Sequence, residues 1–266
     1  MPGTEHLKVE REGHTVIVTM NRPEAKNALS PGMLVGMADA WVEIDGDDDV
    51  RCAILTGAGG DFCTGMDLKA FSGASGQENP HQDRFAADPD LHWKALLRHY
   101  QPKKPLIAAV EGYAVAGGTE ILQGTDIRVA GEGATFGIFE ARRGLFPLGG
   151  STVRLQRQIP YTVAMELLLT ARAITAEEAL RIGLIGRVVP DGGALDAALE
   201  IAATISDNGP LAVEAIKRSV KETAALSEAD GLARELELGW PIFATEDAKE
   251  GSKAFAEKRK ANFQRK

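Results

Sequence analysis

Cysteine is almost absent. Cys52 and Cys63 are the only two in 266 residues, and each sits among apolar neighbours. Two separated thiols make no disulfide framework, so a reducing compartment is expected. No hydrophobic run reaches the length of a membrane span, which needs roughly 20 apolar residues. The start, Met1-Pro2-Gly3-Thr4-Glu5-His6, lacks a basic region followed by an apolar one, so no secretory signal is read and a cytoplasmic location is expected. Excess positive charge is also missing: the formal net charge is −8. Binding a phosphate backbone needs clustered cation, so no nucleic-acid partner is expected, and no membrane partner either. A small anionic ligand held by a few local Lys and Arg is still allowed. His81, His92 and His99 stand at spacings that suit no common metal site, so no metal is expected.

What is present is ordinary for a soluble protein: 44% hydrophobic and 26% charged residues. The length suits one large domain, or a domain with an appended subdomain. Its central stretch is Gly112-Tyr113-Ala114-Val115-Ala116-Gly117-Gly118-Thr119-Glu120. The apolar run Leu106-Ile107-Ala108-Ala109-Val110 before it reads as a buried strand, and Ile121-Leu122-Gln123 after it as the first turn of a helix. Glycines there let backbone approach a ligand, and free N–H groups at a helix start favour negative charge. Glu120 stands about one turn beyond Gly117. The stretch is thus either an anion-stabilising backbone with an acid/base beside it, or close-packing glycines with a satisfied polar group.

Around it, Leu7 to Arg11 and Thr15 to Met20 read as a hairpin. Ser30-Pro31 reads as an N-cap with proline at the first helical position, ahead of a helix carrying Met33, Leu34, Met37, Ala38, Trp41 and Ile44 inward. Asp45 to Asp49 is an exposed acidic turn, and Val50 to Thr56 a strand. Gly57-Ala58-Gly59-Gly60 invites a dinucleotide-binding reading, but Phe62 stands where that fingerprint wants glycine, and no nicotinamide cofactor is expected. Ser72 to Pro89 reads as a long surface loop, and Leu91 to Tyr100 as a helix. Ile127 to Ala130 is a short strand. Glu140 follows apolar residues and precedes Arg142-Arg143, so desolvation and arginine pull its pKa in opposite directions. Gly144 to Gly150 is a turn and Thr152 to Ile159 a helix. Ala164 to Leu169 is another, and Thr175-Ala176-Glu177-Glu178 caps a third, which Gly183 ends. After a strand at Gly186 to Val189 the chain turns helical. Its tail, Asp247 to Lys266, is either a solvated final helix or a cationic phosphate contact. The pattern is an α/β core over residues 1–194 with a helical C-terminal region, 195–266.

With these residues laid out, the chain resembles the enoyl-CoA hydratase/isomerase, or crotonase, family, nearly end to end. The likeness is carried by Asn21-Arg22-Pro23 with Asn27-Ala28-Leu29, and by Asp61-Phe62-Cys63-Thr64-Gly65-Met66-Asp67-Leu68. It continues through Lys104 to Gly112, Gly117-Gly118-Thr119-Glu120, Ala179 to Leu184, and Glu257-Lys258-Arg259-Lys260 before Asn262-Phe263. The resemblance implies a spiral of ββα units with C-terminal helices that form trimers, often paired into hexamers. It implies a coenzyme A thioester as substrate with no separate cofactor. The thioester oxygen would be held by the backbone N–H groups of Met66 and Gly117, and water added across a trans-2-enoyl double bond by Glu120 and Glu140. Coenzyme A would lie near Lys26, Asp67, Leu68 and Lys69, with Phe255 and Lys258 reaching in from a neighbouring subunit. The more basic Arg142-Arg143, which could orient Glu140, meet a polar acyl group or form surface ion pairs, and the long 72–89 segment depart from short-chain hydratases; the chain most resembles actinobacterial hydratases, including ones for bulky acyl groups such as steroid side chains, which implies a roomy acyl pocket. An isomerase, another acyl-CoA lyase or hydrolase, and a non-catalytic RNA-binding or scaffold protein stay open on the same fold.

Overall fold

The computed structural model describes residues 3–71 and 79–266, without the side chains of Lys69 and Phe71. Among the described residues nine strands form two sheets: β1 (Leu7–Glu12), β2 (Thr15–Met20), β3 (Cys52–Gly57), β4 (Leu106–Val110), β5 (Tyr113–Val115), β6 (Ile127–Gly131), β7 (Thr135–Gly137), β8 (Ile174–Thr175) and β9 (Arg187–Val189). The larger sheet runs β1-β2-β3-β4-β6-β9, and the smaller β5-β7-β8. The β1–β2 hairpin is antiparallel; the other pairings of the large sheet are parallel. Consecutive strands therefore alternate between sheets, β4 to β5 and β6 to β7, which is the spiral of ββα units expected.

The switch from β4 to β5 turns on Gly112. Its φ is +51°, and a Cβ there would lie 2.2 Å from the Gly60 carbonyl oxygen, so only glycine fits. β4 is buried along its whole length because both its faces are covered. Leu106, Ala108 and Val110 join the main core, while Ile107 and Ala109 face a second core beneath the helix Ala194–Ser206.

The helix Pro31–Gly46 starts as the sequence predicts, with Ser30 Oγ accepting from the Met33 N–H at 3.2 Å. The six residues expected inward are all buried, and Trp41 Nε1 donates to the Ala95 carbonyl. Three expectations need correction. Asp45 is not part of a solvated turn: it lies in the last helical turn and accepts from Tyr100 Oη and the Lys103 N–H. The segment expected to be a loop from Ser72 to Pro89 holds a helix, Gln82–Ala87, pinned by an Arg84–Asp39 pair at 2.6 Å and by Phe85 against the core; residues 72–78 lie outside the described ones. The helix expected to reach Tyr100 covers only Leu91–Ala95, because Leu97 adopts a left-handed φ of +56°.

The C-terminal helices are Ala194–Ser206, Pro210–Thr223, Glu228–Gly239 and Glu246–Glu257. The tail beyond them folds back: buried Asp247 accepts from the Gln264 and Arg265 N–H groups, and Arg51 donates to the Ser206 and Phe263 carbonyls. Among the described residues no helix is long and apolar enough to cross a membrane.

Candidate active site

Two glycine turns meet at the site. The first, Cys63 to Asp67, runs beside β5 through Cys63 N–H to Tyr113 O and Val115 N–H to Cys63 O, at 2.8 and 2.9 Å. Leu29 clips its far side, donating to Gly65 O and accepting from the Asp67 N–H. The second turn opens the short helix Gly117–Leu122. A Cβ on Gly118 would lie 2.2 Å from Cys63 O, and one on Gly65 would lie 2.9 Å from the Gly117 nitrogen. Only glycines allow this approach. It places the Met66 and Gly117 nitrogens side by side, and among the described residues neither N–H has an acceptor. Ala116, between β5 and the helix, holds φ +50° and ψ −125°, a strained conformation for alanine, while its N–H donates to Gly137 O at 2.7 Å. Thr119 locks the turn from beneath, its hydroxyl donating to Ala114 O and accepting from the Gly137 N–H.

Glu120 follows, 5% exposed. Its carboxylate lies against a third turn, Gly149-Gly150-Ser151, at the start of the helix Ser151–Gln158; the Ser151 N–H reaches Oε1 at 3.2 Å. A Cβ on Gly149 would lie 2.7 Å from Oε2, so this cradle also needs glycine. Burial pushes the Glu120 carboxyl up, and the N–H groups of Ser151, Gly149 and Gly150 oppose the shift. Glu140 begins the 3-10 turn Glu140–Arg143, and its Oε2 is buried with no hydrogen-bond partner among the described residues. Burial, and then the nearby Glu120 carboxylate, push its carboxyl up to about 7, with Arg143 pulling weakly the other way. Two carboxyls that feel each other favour one proton shared between them.

A linkage prediction follows. The unfolded chain releases the Glu140 proton near the ordinary value of 4.5, whereas the folded chain holds it to about 7. Within that window the folded state binds more protons, so its stability falls as pH rises, and the loss is complete above the folded pKa. Glu140→Gln removes this loss. The Tm of the variant minus that of the parent will therefore grow between roughly pH 5 and pH 8. An equal difference at both would show that Glu140 ionises normally.

Both glutamates, Met66 and Gly117 line one cavity of about 670 Å³. Its other walls are largely apolar: Leu68, Trp93, Leu96, Phe139, Leu145, Phe146 and Leu148. Lys26 stands at its edge, 4.2 Å from the centroid of the Tyr113 ring and 3.5 Å from Asp61. Arg143 is on the wall, while Arg142 stacks on Phe139.

The residues expected to meet coenzyme A are divided. Lys26 and Leu68 line the cavity. Asp67 does not: it pairs with Arg22 at 2.5 Å and accepts from the Ala70 N–H, which holds the Met66 turn in place. The Lys69 side chain lies outside the described residues. Phe255, 87% exposed, and Lys258, the left-handed residue that ends the helix Glu246–Glu257, are not on the cavity wall. His92 lines the cavity; among the described residues no group of three His, Cys, Asp or Glu is placed to hold a metal ion. The sequence reading missed the Gly149-Gly150-Ser151 cradle, Gln123, whose Nε2 donates to Ser151 Oγ, and Arg154. The available signal was a glycine pair ahead of a helix, the same sign that marked Gly117-Gly118.

The chain matches the family model described as enoyl-CoA hydratase/isomerase over residues 10–266. It is 59% identical to the enoyl-CoA hydratase EchA19 of Mycobacterium tuberculosis, over 96% of this chain and 95% of that protein. It is 38% identical to the (E)-benzylidenesuccinyl-CoA hydratase of Thauera aromatica, over 97% and 98%. The crystal structure of an enoyl-CoA hydratase from Mycobacterium tuberculosis H37Rv superposes with a TM-score of 0.89 at 43% identity, over 98% of this chain and 99% of that one. With two glycine turns presenting paired N–H groups, and a buried and a half-buried glutamate in one apolar cavity, the chain belongs to the enoyl-CoA hydratase/isomerase family.

Proposed function

We propose that this protein is an enoyl-CoA hydratase that adds water to trans-2-enoyl-CoA thioesters to give 3-hydroxyacyl-CoA. The observation that carries this reading is the placement of Glu120 and Glu140 in the same cavity as the unpaired Met66 and Gly117 N–H groups. Glu120 takes a proton from water as the oxygen bonds to the β-carbon. Electrons move through the former double bond onto the thioester oxygen, where the two N–H groups hold the enolate. Glu140 then delivers a proton to the α-carbon on the same face. The Glu140 carboxyl, pushed up to about 7, suits the proton donor, while the Ser151, Gly149 and Gly150 N–H groups favour the ionised form of Glu120 against its burial. Water addition transfers no net electrons, so the reaction needs no redox cofactor, and the coenzyme A thioester is its substrate. Lys26 and Leu68 are assigned to the coenzyme A end, with Asp67 and Lys69 beside them and Phe255 and Lys258 from a neighbouring subunit. An isomerase needs only one carboxylate to shuttle its proton, and the second glutamate on the cavity wall favours hydration.

The apolar walls and the volume favour large acyl groups over the four-carbon crotonyl group. A relative named for benzylidenesuccinyl-CoA, which carries a ring, supports the same reading. The test is a panel of enoyl-CoA thioesters, followed by loss of enoyl absorbance and by product identification. 3-Hydroxyacyl products, with kcat/KM higher for long or ring-bearing acyl groups than for crotonyl, are expected. A shifted double bond would identify an isomerase, and a preference for crotonyl-CoA would rule out the large pocket.

The assembly is assigned as a trimer, or a pair of trimers. Ile216, Val220, Leu232 and Leu236 on the C-terminal helices, with Trp240 and Phe243 on the 3-10 turn Trp240–Ala244, are each more than half exposed in the single chain, apolar area that water alone does not favour. Light scattering will give three or six protomer masses; a single protomer mass would overturn this assignment.

A further inference from the structure

Arg154 does not line the cavity, yet it joins two of its walls. It lies on the helix Ser151–Gln158, one turn beyond the Ser151 N–H that holds Glu120. Its stem passes beneath the cradle: a Cβ on Gly150 would lie 3.5 Å from Arg154 Cδ and 3.6 Å from Nε. Its Nη2 donates to the Leu97 carbonyl at 2.5 Å and reaches the Arg98 carbonyl at 3.4 Å. These carbonyls end the segment that carries His92, Trp93 and Leu96 along the cavity wall. They are turned toward Arg154 by the left-handed conformation of Leu97, a cost that a leucine bears only when its surroundings hold it there. Gly124 makes room for the contact, since a Cβ there would lie 2.6 Å from Leu97 Cβ and 3.2 Å from Arg154 Nη1. One guanidinium thus fastens the Glu120 cradle to the opposite wall, and it is a cation close enough to Glu120 for the two charges to attract.

We propose that Arg154 is the positioning residue of Glu120: it holds the Gly149-Gly150-Ser151 cradle in register with the Trp93–Leu96 wall and sets a positive charge near the Glu120 carboxylate. The proposal rests on the hydratase reading for its catalytic consequence. The charged and titratable groups around Glu120 are Glu140 and Arg143 on the 3-10 turn, His92 on the facing wall, and Arg154 on the helix, with Arg98 next to Arg154. Of these, only Arg154 meets the cradle from outside the cavity, so substrate entering the cavity leaves its contact with Leu97 and Arg98 undisturbed.

The test uses the full chain with Arg154→Met, which keeps the length and loses the charge, and Arg154→Lys, which keeps the charge and loses the fork. In Arg154→Met the acidic limb of the kcat/KM profile for enoyl-CoA hydration moves up by about one pH unit, the size of shift that one neighbouring opposite charge produces. In Arg154→Lys the limb stays near its parental position, while KM rises for large acyl groups as the wall loosens. Difference infrared titration of each variant against the same variant carrying Glu120→Gln reads the Glu120 carboxyl directly, and shows the same upward move in Arg154→Met alone. An unmoved limb and an unmoved carboxyl band in a folded Arg154→Met would overturn the proposal, as would equal displacement in both variants. Should the parent protein hydrate no enoyl-CoA, the hydratase reading fails, and the infrared titration alone still decides whether Arg154 controls Glu120.

Discussion

Glu120→Gln will lower the rate of enoyl-CoA hydration by about 10²–10⁴-fold, the usual worth of a general acid or base, and Glu140→Gln will do the same. Glutamine keeps the volume of each side chain and can still meet the Gly149-Gly150-Ser151 cradle, but it can neither take nor give the proton. Both variants stay folded, because neither carboxylate carries a salt bridge that the fold depends on. The double variant will be little worse than either single one, since the two groups act together in one addition of water. Binding of a saturated acyl-CoA, measured by calorimetry, stays within a few-fold of the parent, because the apolar walls and Lys26 are untouched. Near-parental rates in both single variants would remove the carboxylate mechanism altogether. A large loss in one alone would point instead to the single-carboxylate chemistry of an isomerase.

The second large effect comes from a residue that touches no substrate through a side chain. Gly65→Ala places a methyl group 2.9 Å from the Gly117 nitrogen and 2.9 Å from Ala116 Cβ, at a φ of +90°. The Met66 turn must move away from the helix start, or the methyl must stand where the thioester oxygen binds. Either outcome separates the two N–H groups from one oxygen. Losing one such donor costs roughly 3–4 kcal/mol of barrier, about 10²–10³ in kcat. The backbone strain alone costs stability too, on the order of 1–3 kcal/mol. Gly13→Ala supplies the control: it also has a positive φ, +56°, but a Cβ there meets nothing within 4 Å and it lies in the β1–β2 hairpin. It will lower Tm while leaving kcat unchanged. If Gly65→Ala lost no more activity than Gly13→Ala, the paired N–H groups would not be the oxyanion site.

These two results depend on parts of the site that were legible to very different degrees. Glu120 could be found from sequence because its signal is local: a buried strand, a glycine turn, a helix start and a carboxylate within nine residues. Glu140 gave a weaker sign, a lone carboxylate between apolar residues and two arginines, and only the family resemblance joined it to Glu120. The effect of that setting on its pKa was open from sequence, because burial and arginine act in opposite directions. In the folded chain burial and Glu120 prevail, and Arg143 is a minor opposing influence. Asp67 shows the reverse case. It stood within a matching motif next to Met66, and only the folded chain shows its carboxylate engaged by Arg22, forty-five residues earlier in the chain. The motif Asn21-Arg22-Pro23 with Asn27-Ala28-Leu29 is likewise structural in its contacts: Asn27, fully buried, ties the turn after β3 through Ala58 O and Asp61 O, and Leu29 clips the Met66 turn.

The sequence by itself determined the elements whose cause is local. The cap at Ser30, the doubly buried strand Leu106–Val110, the helix start at Thr175 and the glycine turn before Glu120 each follow from neighbours within a few residues. It also determined the kind of chemistry, through a resemblance spread along the chain. Only the tertiary structure decided what those elements hold together. The strand at Tyr113–Val115 is too short to be read from periodicity and exists because Cys63 and β7 supply its partners. The helix after Leu91 stops early where Leu97 turns left-handed, and Arg154, from far down the chain, takes the Leu97 carbonyl. The cradle of Glu120 forms because Gly149 has no side chain to collide with a carboxylate twenty-nine positions before it. Hydrogen bonds and steric fit of this kind act over ångströms, and residues separated by dozens of positions come within that range only once the chain has folded.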